Sequence, residues 1–357
     1  MRVLQIIDSL EAGGAERMAV NFANALGKKI EFSGLVATRK EGGLKSQIDS
    51  DVSYLFLNRK SVIDFKAILK LRKFIINNKV TIIHAHSSSF LIAVLLKFTL
   101  PKIKIIWHDH YGKRIDETQI KNRYLILLSP FFSSIFVVNP LLEKWNKKNM
   151  LCSNVYFIPN FIKNANDDEN DPSLKGVADK RILFLANLKE PKNHSVMLNA
   201  FKNLKLNNLG WSLHLIGKDY SDDYSDSIKI FIKEHALEND IHLYDSRNDV
   251  TSILSQGTIG VLTSTAEGFP LTLLEYGLAS LPVVSTNAGY CSSIIENNNS
   301  GLLFNPLQIL ELEDQIIKLI SDAELRNKLG LNLKKVVLEN YIEVVVVQKL
   351  ILAYNRL

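Results

Sequence analysis

The sequence predicts an α/β protein built as two doubly wound domains. Three observations carry this. Short apolar strands alternate with amphipathic helical stretches along most of the chain. Those strands are nearly continuous apolar runs, as strands buried on both faces of a parallel sheet must be. One polar segment, Lys163–Lys180, rich in Asn and Asp and carrying Pro172 and Gly176, interrupts the pattern near the middle with linker composition.

In the first half, strands are expected at Val3–Asp8, Gly34–Thr38, Ser53–Leu57, Thr81–Ala85, Lys104–His108, Ile135–Asn139 and Val155–Ile158. Helical periodicity separates several of them, as in Glu16–Leu26 and Val62–Asn77. In the second half, strands are expected at Ile182–Ala186, Ser212–Ile216, Ile241–Tyr244, Gly260–Thr263 and Pro282–Ser285, with helices from Leu310 onward. The 357 residues suit two domains at about 100–200 residues each. The boundaries expected are 1–165 and 166–335, with residues 336–357 forming a helix that packs back on the first domain. Two such domains facing each other would enclose a cleft.

Composition narrows the function classes. The net charge of +6 is spread out, which suits anionic ligands in general, and a surface without a specific partner equally well. No zinc-finger spacing or RNP-like aromatic motif points to nucleic acid. Two cysteines, Cys152 and Cys291, far apart, indicate no disulfide framework and fit a reducing cytoplasm. The N-terminal run Met1–Asp8 is too short for a signal peptide and reads as a strand. From Tyr124 to Leu142 no residue is charged, but Pro130, Pro140 and several serines make a helix end, a turn and a buried strand the better reading than a membrane span.

The segment Thr263–Phe304 carries the chemistry. A strand ends at Thr263, a loop holds Glu267, Gly268, Phe269 and Pro270, and a helix opens at Leu271 with Glu275 about one turn inside. Pro270 suits the first helical turn, and the free N–H groups of that turn attract phosphate. Both carboxylates can then face one pocket at the carboxyl end of the sheet, where open α/β sheets bind ligands. There Glu275 would accept hydrogen bonds from ribose hydroxyls and Glu267 from those of a sugar. Taken singly, each acid is better explained as a solvated surface residue; together, the strand–loop–helix setting favours the site.

These residues resemble family 4 of the retaining glycosyltransferases, whose E-x7-E motif, usually EGFP-x4-E, stands here as EGFPLTLLE. LPVVSTNAG and SGLLF downstream are similar to further family segments. The resemblance covers nearly the whole chain and is strongest from Arg181 to Phe304. It implies the GT-B fold of two facing Rossmann-like domains and transfer of a sugar, with retention, from a nucleoside diphosphate to an acceptor hydroxyl. It implies no cofactor and no catalytic metal, and UDP is the expected carrier.

Other segments then acquire expected roles. Gly13 and Gly14 form a glycine turn before a helix and are expected to approach the donor phosphates; the turn is not GxGxxG, so no nicotinamide dinucleotide is implied. In Asn187-Leu188-Lys189-Glu190-Pro191-Lys192, Lys192 matches the family's diphosphate-binding lysine. Asn187 stands where an arginine is usual, and whether Lys189 replaces that charge stays open. His108 is the expected sugar-contacting histidine, with His110 as runner-up. His84 and His86 end the preceding strand, and the four histidines read as cleft residues before they read as a metal site.

The acceptor implied is a saccharide or lipid-linked saccharide used for surface polymers, handled at the cytoplasmic face of the inner membrane. Leu95–Lys104 and Lys113-Arg114 read equally as lipid contacts and as ordinary helix and loop. A nucleotide-sugar-binding protein without transfer activity, a GT-B epimerase and a phosphorylase are the alternatives.

Overall fold

The computed structural model describes residues 1–11, 13–117, 119–163, 173–247 and 249–357. The chain divides into two compact units, Met1–Lys163 with Glu343–Leu357, and Asn164–Ile342.

The first unit holds a parallel seven-stranded sheet: β1 (Arg2–Ser9), β2 (Phe32–Lys40), β3 (Ser53–Phe56), β4 (Ile82–His86), β5 (Lys104–Asp109), β6 (Ser134–Val137) and β7 (Val155–Phe157). Its order is β3-β2-β1-β4-β5-β6-β7, so the direction of winding reverses between β1 and β4. Its connections carry α1 (Gly14–Gly27), α2 (Phe65–Asn77), α3 (Phe90–Lys97), α4 (Gln119–Leu128) and α5 (Pro140–Asn149). Right-handed crossovers place α1 on one face and α2 to α5 on the other. The central strands are the expected apolar runs: Leu4, Ile6, Ile83, Ile105 and Ile106 are all fully buried.

The second unit holds a six-stranded sheet: β8 (Arg181–Leu185), β9 (Ser212–Ile216), β10 (Ile241–Tyr244), β11 (Ile259–Leu262), β12 (Val283–Thr286) and β13 (Leu302–Phe304). The order β10-β9-β8-β11-β12-β13 puts its reversal between β8 and β11. All its pairings are parallel. Its helices are α6 (His194–Asn203), α7 (Asp223–Glu234), α8 (Val250–Ser255), α9 (Leu271–Leu278), α10 (Cys291–Ile294), α11 (Ile309–Ser321) and α12 (Ala323–Asn340). α9 and α12 pack closely at Gly277, where a Cβ would lie 2.5 Å from Val337 Cγ2. That contact keeps α12 in the second unit. The return to the first unit therefore begins at Glu343, with α13 (Glu343–Asn355), and not at residue 336.

The uncharged stretch Tyr124–Leu142 is the end of α4, a single 3-10 turn at Ser129–Phe131, β6 and the start of α5. Among the described residues no helix is long and apolar enough to cross a membrane. Most of the linker, 164–172, lies outside the described residues.

Candidate functional site

At the reversal between β8 and β11 two loops leave neighbouring strand ends, the position where open α/β sheets form their ligand crevices. The loop after β8 turns through Lys189–Asn193, with Asn193 in the left-handed region at φ 55° just before α6. The loop after β11 runs from Thr263 to Pro270. Hydrogen bonds stitch them together. Thr263 Oγ1 donates to the carbonyls of Asn193 (2.9 Å) and Lys192 (3.1 Å), the Thr265 amide donates to Pro191 O (2.9 Å), and Asn193 Nδ2 donates to Thr263 O (3.3 Å).

This stitching sets Lys192 Nζ 2.7 Å from Glu267 Oε1. The two residues are 75 positions apart in sequence, and their side chains are only 23% and 8% exposed. Glu267 is held from the other side by the loop after β12. Gly289 has φ +59°, a Cβ there would sit 1.7 Å from Glu267 O, and the Tyr290 amide donates to that same oxygen at 3.4 Å. Cys291, fully buried behind it, has its thiol pushed up by burial and then by the Glu267 charge, which keeps it a thiol.

α9 starts at Leu271, with Pro270 as its half-helical cap at φ −80° and ψ 97°, one position earlier than a first-turn proline. In its first turn the Leu273 amide donates back to Pro270 O at 3.2 Å, while the Leu271 and Thr272 amides precede the first intrahelical acceptor. Thr272 Oγ1 donates to Leu185 O (3.1 Å), and the buried Tyr276 hydroxyl donates toward Leu183 O and Val261 O while receiving the Leu185 amide. The helix is thus bolted to β8 and β11, and Glu275, partly exposed, lies beyond the turn Gly268–Pro270 that follows Glu267. Phe269 is packed on Tyr290 (centroids 5.1 Å) and Tyr341 (5.6 Å), so its ring serves the loop's shape and only its backbone is offered to a ligand.

Asn187 does not point at an anion. Its Oδ1 accepts the Lys218 amide at 3.0 Å, tying the ends of β8 and β9, while Gly217 approaches Ala186 so closely that a Cβ would meet its carbonyl oxygen at 2.2 Å. Lys189 Nζ lies 5.4 Å from the Tyr220 ring centroid, and Lys218 Nζ, which sequence reasoning missed, lies 5.0 Å from the same ring. Two ammonium groups therefore gather on one tyrosine, within reach of the β8 loop.

In the first unit, α1 begins at Gly14 with Gly13 as its cap, and the Glu16 carboxylate of its first turn lies against Gly13, where a Cβ would meet Oε2 at 2.2 Å. Asp8, at the end of β1, accepts from Ser88 Oγ (2.6 Å), Arg59 Nη2 (3.2 Å) and Thr38 Oγ1, joining three strand ends.

The histidines form a stack. Strand alternation puts Gln5, His84, His86, His108 and His110 on one face, and Phe22 of α1 lies over three of the rings. Gln5 Oε1 meets His86 Nε2 at 2.8 Å, and His86 Nδ1 meets His110 Nε2 at 2.9 Å. On the other arm Gln5 Nε2 donates to the Tyr354 hydroxyl of α13 (3.3 Å), which meets His84 Nδ1 at 2.6 Å; His84 Nε2 then meets His108 Nδ1 at 3.0 Å. Burial, then the neighbouring imidazoles, pushes His84, His86 and His108 well below the usual histidine range, and burial takes His110 down to about 3.

With all four rings neutral, hydrogen-bond accounting fixes the far ends. If the Gln5 amide stands as described, His108 ends with an Nε2–H and His110 with a bare Nδ1 lone pair. Turning the amide over reverses both arms. In either case the two enclosed atoms, neither with a partner among the described residues, are one donor and one acceptor. His108 itself is fully buried and presents no edge to solvent, unlike the sugar-facing histidine expected. The ligating atoms of His84, His86 and His108 fall within 4.8 Å of one another, and here His84 Nε2 and His108 Nδ1 are engaged with each other while His86 bonds Gln5 and His110.

Of the two readings of Arg114, lipid contact or ordinary loop residue, its burial favours the second. Its guanidinium bonds Asp109 Oδ2 (2.6 Å) and Asn122 Oδ1 (2.5 Å) and lies over Trp107, Tyr111 and Trp145. In Leu95–Lys104, Leu96 and Ile103 are buried and Lys97 donates to Ile103 O at 2.7 Å.

Comparison with known proteins covers the same two halves. Residues 12–164 match the family model Glycosyltransferase Family 4, and residues 165–336 match Glycosyl transferases group 1. The O-antigen biosynthesis glycosyltransferase WbnH of Escherichia coli is 23% identical over 94% of this chain and 95% of its own. An Escherichia coli UDP-Gal:alpha-D-GlcNAc-diphosphoundecaprenol alpha-1,3-galactosyltransferase is 22% identical, covering 83% and 84%. The crystal structure of Anabaena Alr3699/HepE in complex with UDP-glucose superposes over the full length of both chains with a TM-score of 0.83 at 17% identity, and so shares the fold.

Proposed function

The chain belongs to the family-4 glycosyltransferases of GT-B fold, and on that premise we propose that it transfers a hexosyl group, with retention, from a UDP-sugar to a hydroxyl of a lipid-linked saccharide. The observation that carries the reading is the Lys192–Glu267 ion pair beside the N-terminus of α9, at the sheet's reversal. The donor diphosphate replaces Glu267 as the partner of Lys192, and the α9 amides share its charge. Glu267, released, takes the hydroxyls of the transferred sugar, and Glu275 takes those of the ribose.

Leaving-group stabilisation is the main catalytic demand. As the anomeric bond breaks, negative charge grows on the diphosphate, where Lys192 and the helix amides already stand. Lys189 and Lys218, gathered at Tyr220, supply the cationic potential that an arginine at position 187 would have given. Glu267 orients the sugar and transfers no proton. The acceptor attacks on the face the diphosphate leaves.

UDP as carrier is supported by HepE, crystallised with UDP-glucose, and a lipid-linked acceptor by the galactosyltransferase whose name specifies a diphosphoundecaprenol. The place of work is then the cytoplasmic face of a membrane, in surface-polysaccharide synthesis. A donor-hydrolysis screen of UDP-, GDP- and ADP-sugars, followed by NMR of the product, tests this. An inverted anomeric centre, or no turnover of any UDP-sugar, contradicts it. A second reading, binding of a nucleotide sugar without transfer, is favoured by one observation, the engagement of Asn187 with Lys218 in place of a diphosphate arginine. Tight UDP-sugar binding with no transfer across an acceptor panel identifies it.

A further inference from the structure

α2 has two apolar faces. The inner one, Ala67, Ile68, Leu71 and Ile75, is buried against the sheet. The outer one is not covered: Phe65 is 76% exposed, Leu69 63% and Ile76 47%. At 3.6 residues per turn these three fall within about 40° of arc, centred about 125° around the helix from the buried positions. Lys73, Lys66 and Lys70 follow along one flank, all exposed, and Arg72 borders the other. The turn before the helix adds Val62 and Ile63, each 56% exposed. An ordinary surface helix carries one apolar stripe and a polar back; this one carries a second stripe in solvent.

The charge around the outer stripe is one-sided. From Lys60 to Lys79 there are six basic residues and one acid, Asp64. Asp64 is the cap of α2, accepting the Ala67 amide at 3.0 Å and the Lys60 amide at 3.2 Å, so its charge is directed at the backbone.

We propose that this outer face of α2 docks on a bilayer containing anionic lipid, with Phe65, Leu69 and Ile76 entering the acyl boundary and the lysines meeting the headgroups. Such a helix lies in the plane of the interface with its apolar stripe buried. Anionic headgroups attract each nearby Lys or Arg. A second copy of the chain fits less well, since a twofold contact would press the same lysines against each other. The proposal deepens the reading of a lipid-linked acceptor and rests on that reading for what the surface serves. The membrane contact moves from Arg114, which is interior, to α2.

Co-sedimentation of the full chain with vesicles tests it, comparing phosphatidylcholine alone with a phosphatidylcholine–phosphatidylglycerol mixture. Binding to the mixture is expected, weakening as salt rises. Phe65→Ser with Leu69→Ser is expected to weaken it at least tenfold, and Lys66→Gln with Lys73→Gln about fivefold for each lysine removed. These positions are exposed, so the thermal melting of both variants should match the parent. Equal binding to both vesicle types, or no loss in either variant, overturns the proposal. So does light scattering that finds a dimer which Phe65→Ser with Leu69→Ser dissolves. UDP-sugar calorimetry on the same variants keeps the two claims apart: unchanged donor binding with lost vesicle binding supports docking, whereas absence of donor binding in every form defeats the enzymatic reading alone.

Discussion

Lys192 and Glu267 neutralise each other across the ends of β8 and β11. Because the pair is largely enclosed, neither charge can lose its partner without cost, and a ligand that replaces one must satisfy the other. A sugar nucleotide does both at once. Lys192→Ala is therefore expected to weaken UDP-sugar binding by at least tenfold, as loss of a charge-assisted contact does. It should also lower unfolding stability by about 1–3 kcal/mol, because Glu267 is left unpaired. Glu267→Gln should bind UDP alone at least as tightly as the parent, with kcat falling about a hundredfold. Calorimetry with UDP and with UDP-sugar separates the two effects; parental UDP-sugar affinity in Lys192→Ala would refute the pairing's role.

Gly289 is the counterpart on the far side of Glu267. At φ +59° and with Glu267 O where a Cβ would stand, Gly289→Ala must move one loop or the other. The expected result is a loss of more than about 2 kcal/mol in stability together with most of the turnover. A variant that melts and turns over normally would show that the loop is not held in this way.

The imidazole stack makes a prediction that spectroscopy can read. Histidine-labelled protein should show, by long-range proton–nitrogen correlation, His84 and His108 as the same tautomer, with a proton on His108 Nε2 and none on His110 Nδ1. Tyr354→Phe removes the link from Gln5 to His84. It should mix the tautomers of His84 and His108, leave those of His86 and His110 in place, and cost about 1 kcal/mol. An unaltered His108 signal in Tyr354→Phe would break the relay.

Acid should destabilise the protein through the same stack. Histidines held below their ordinary range in the folded state gain protons on unfolding, so the unfolded form is favoured as pH falls from about 6.5 toward the folded values. Each contributes up to about 1.4 kcal/mol per pH unit within that window. His194 and His214 in the second unit, lowered by burial to about 4 and about 3, act in the same sense. Thermal unfolding followed between pH 7.5 and 5 should show a steep decline, and His110→Gln should make it shallower. A flat profile would contradict neutral rings.

The fold was legible because parallel strands buried on both faces leave continuous apolar runs; Ser212–Ile216 and Ile241–Tyr244 are found where those runs lie. The three-residue β13 is too short to stand out as a strand, although it lies within the SGLLF segment. Lys192 and Glu267 were legible singly, but their contact depends on Thr263 and Thr265 stitching loops some seventy residues apart in sequence. Arg114 stays open in the sequence because a basic residue beside a lysine fits a surface as well as an interior, and only Asp109 and Asn122 around it decide. Tyr354 gave no signal at all: it lies 270 residues from the histidine it bonds. The outer stripe of α2 was hidden because helical periodicity marks which residues are apolar, and two apolar faces blur into one broad run.

The passage of the chain through the second unit and back has a consequence for biogenesis. Everything from the linker to Ile342 leaves the ribosome before Glu343–Leu357, so the second unit can close while the first still lacks α13 and the hydroxyl that completes its histidine chain. The nascent first unit must wait, with Gln5 and His84 short of a partner, until α13 emerges. A segment ending at Lys163 is accordingly the wrong piece to express by itself; it would need α13 supplied as a separate peptide, and recovery of folded protein on adding that peptide would measure what the late arrival contributes.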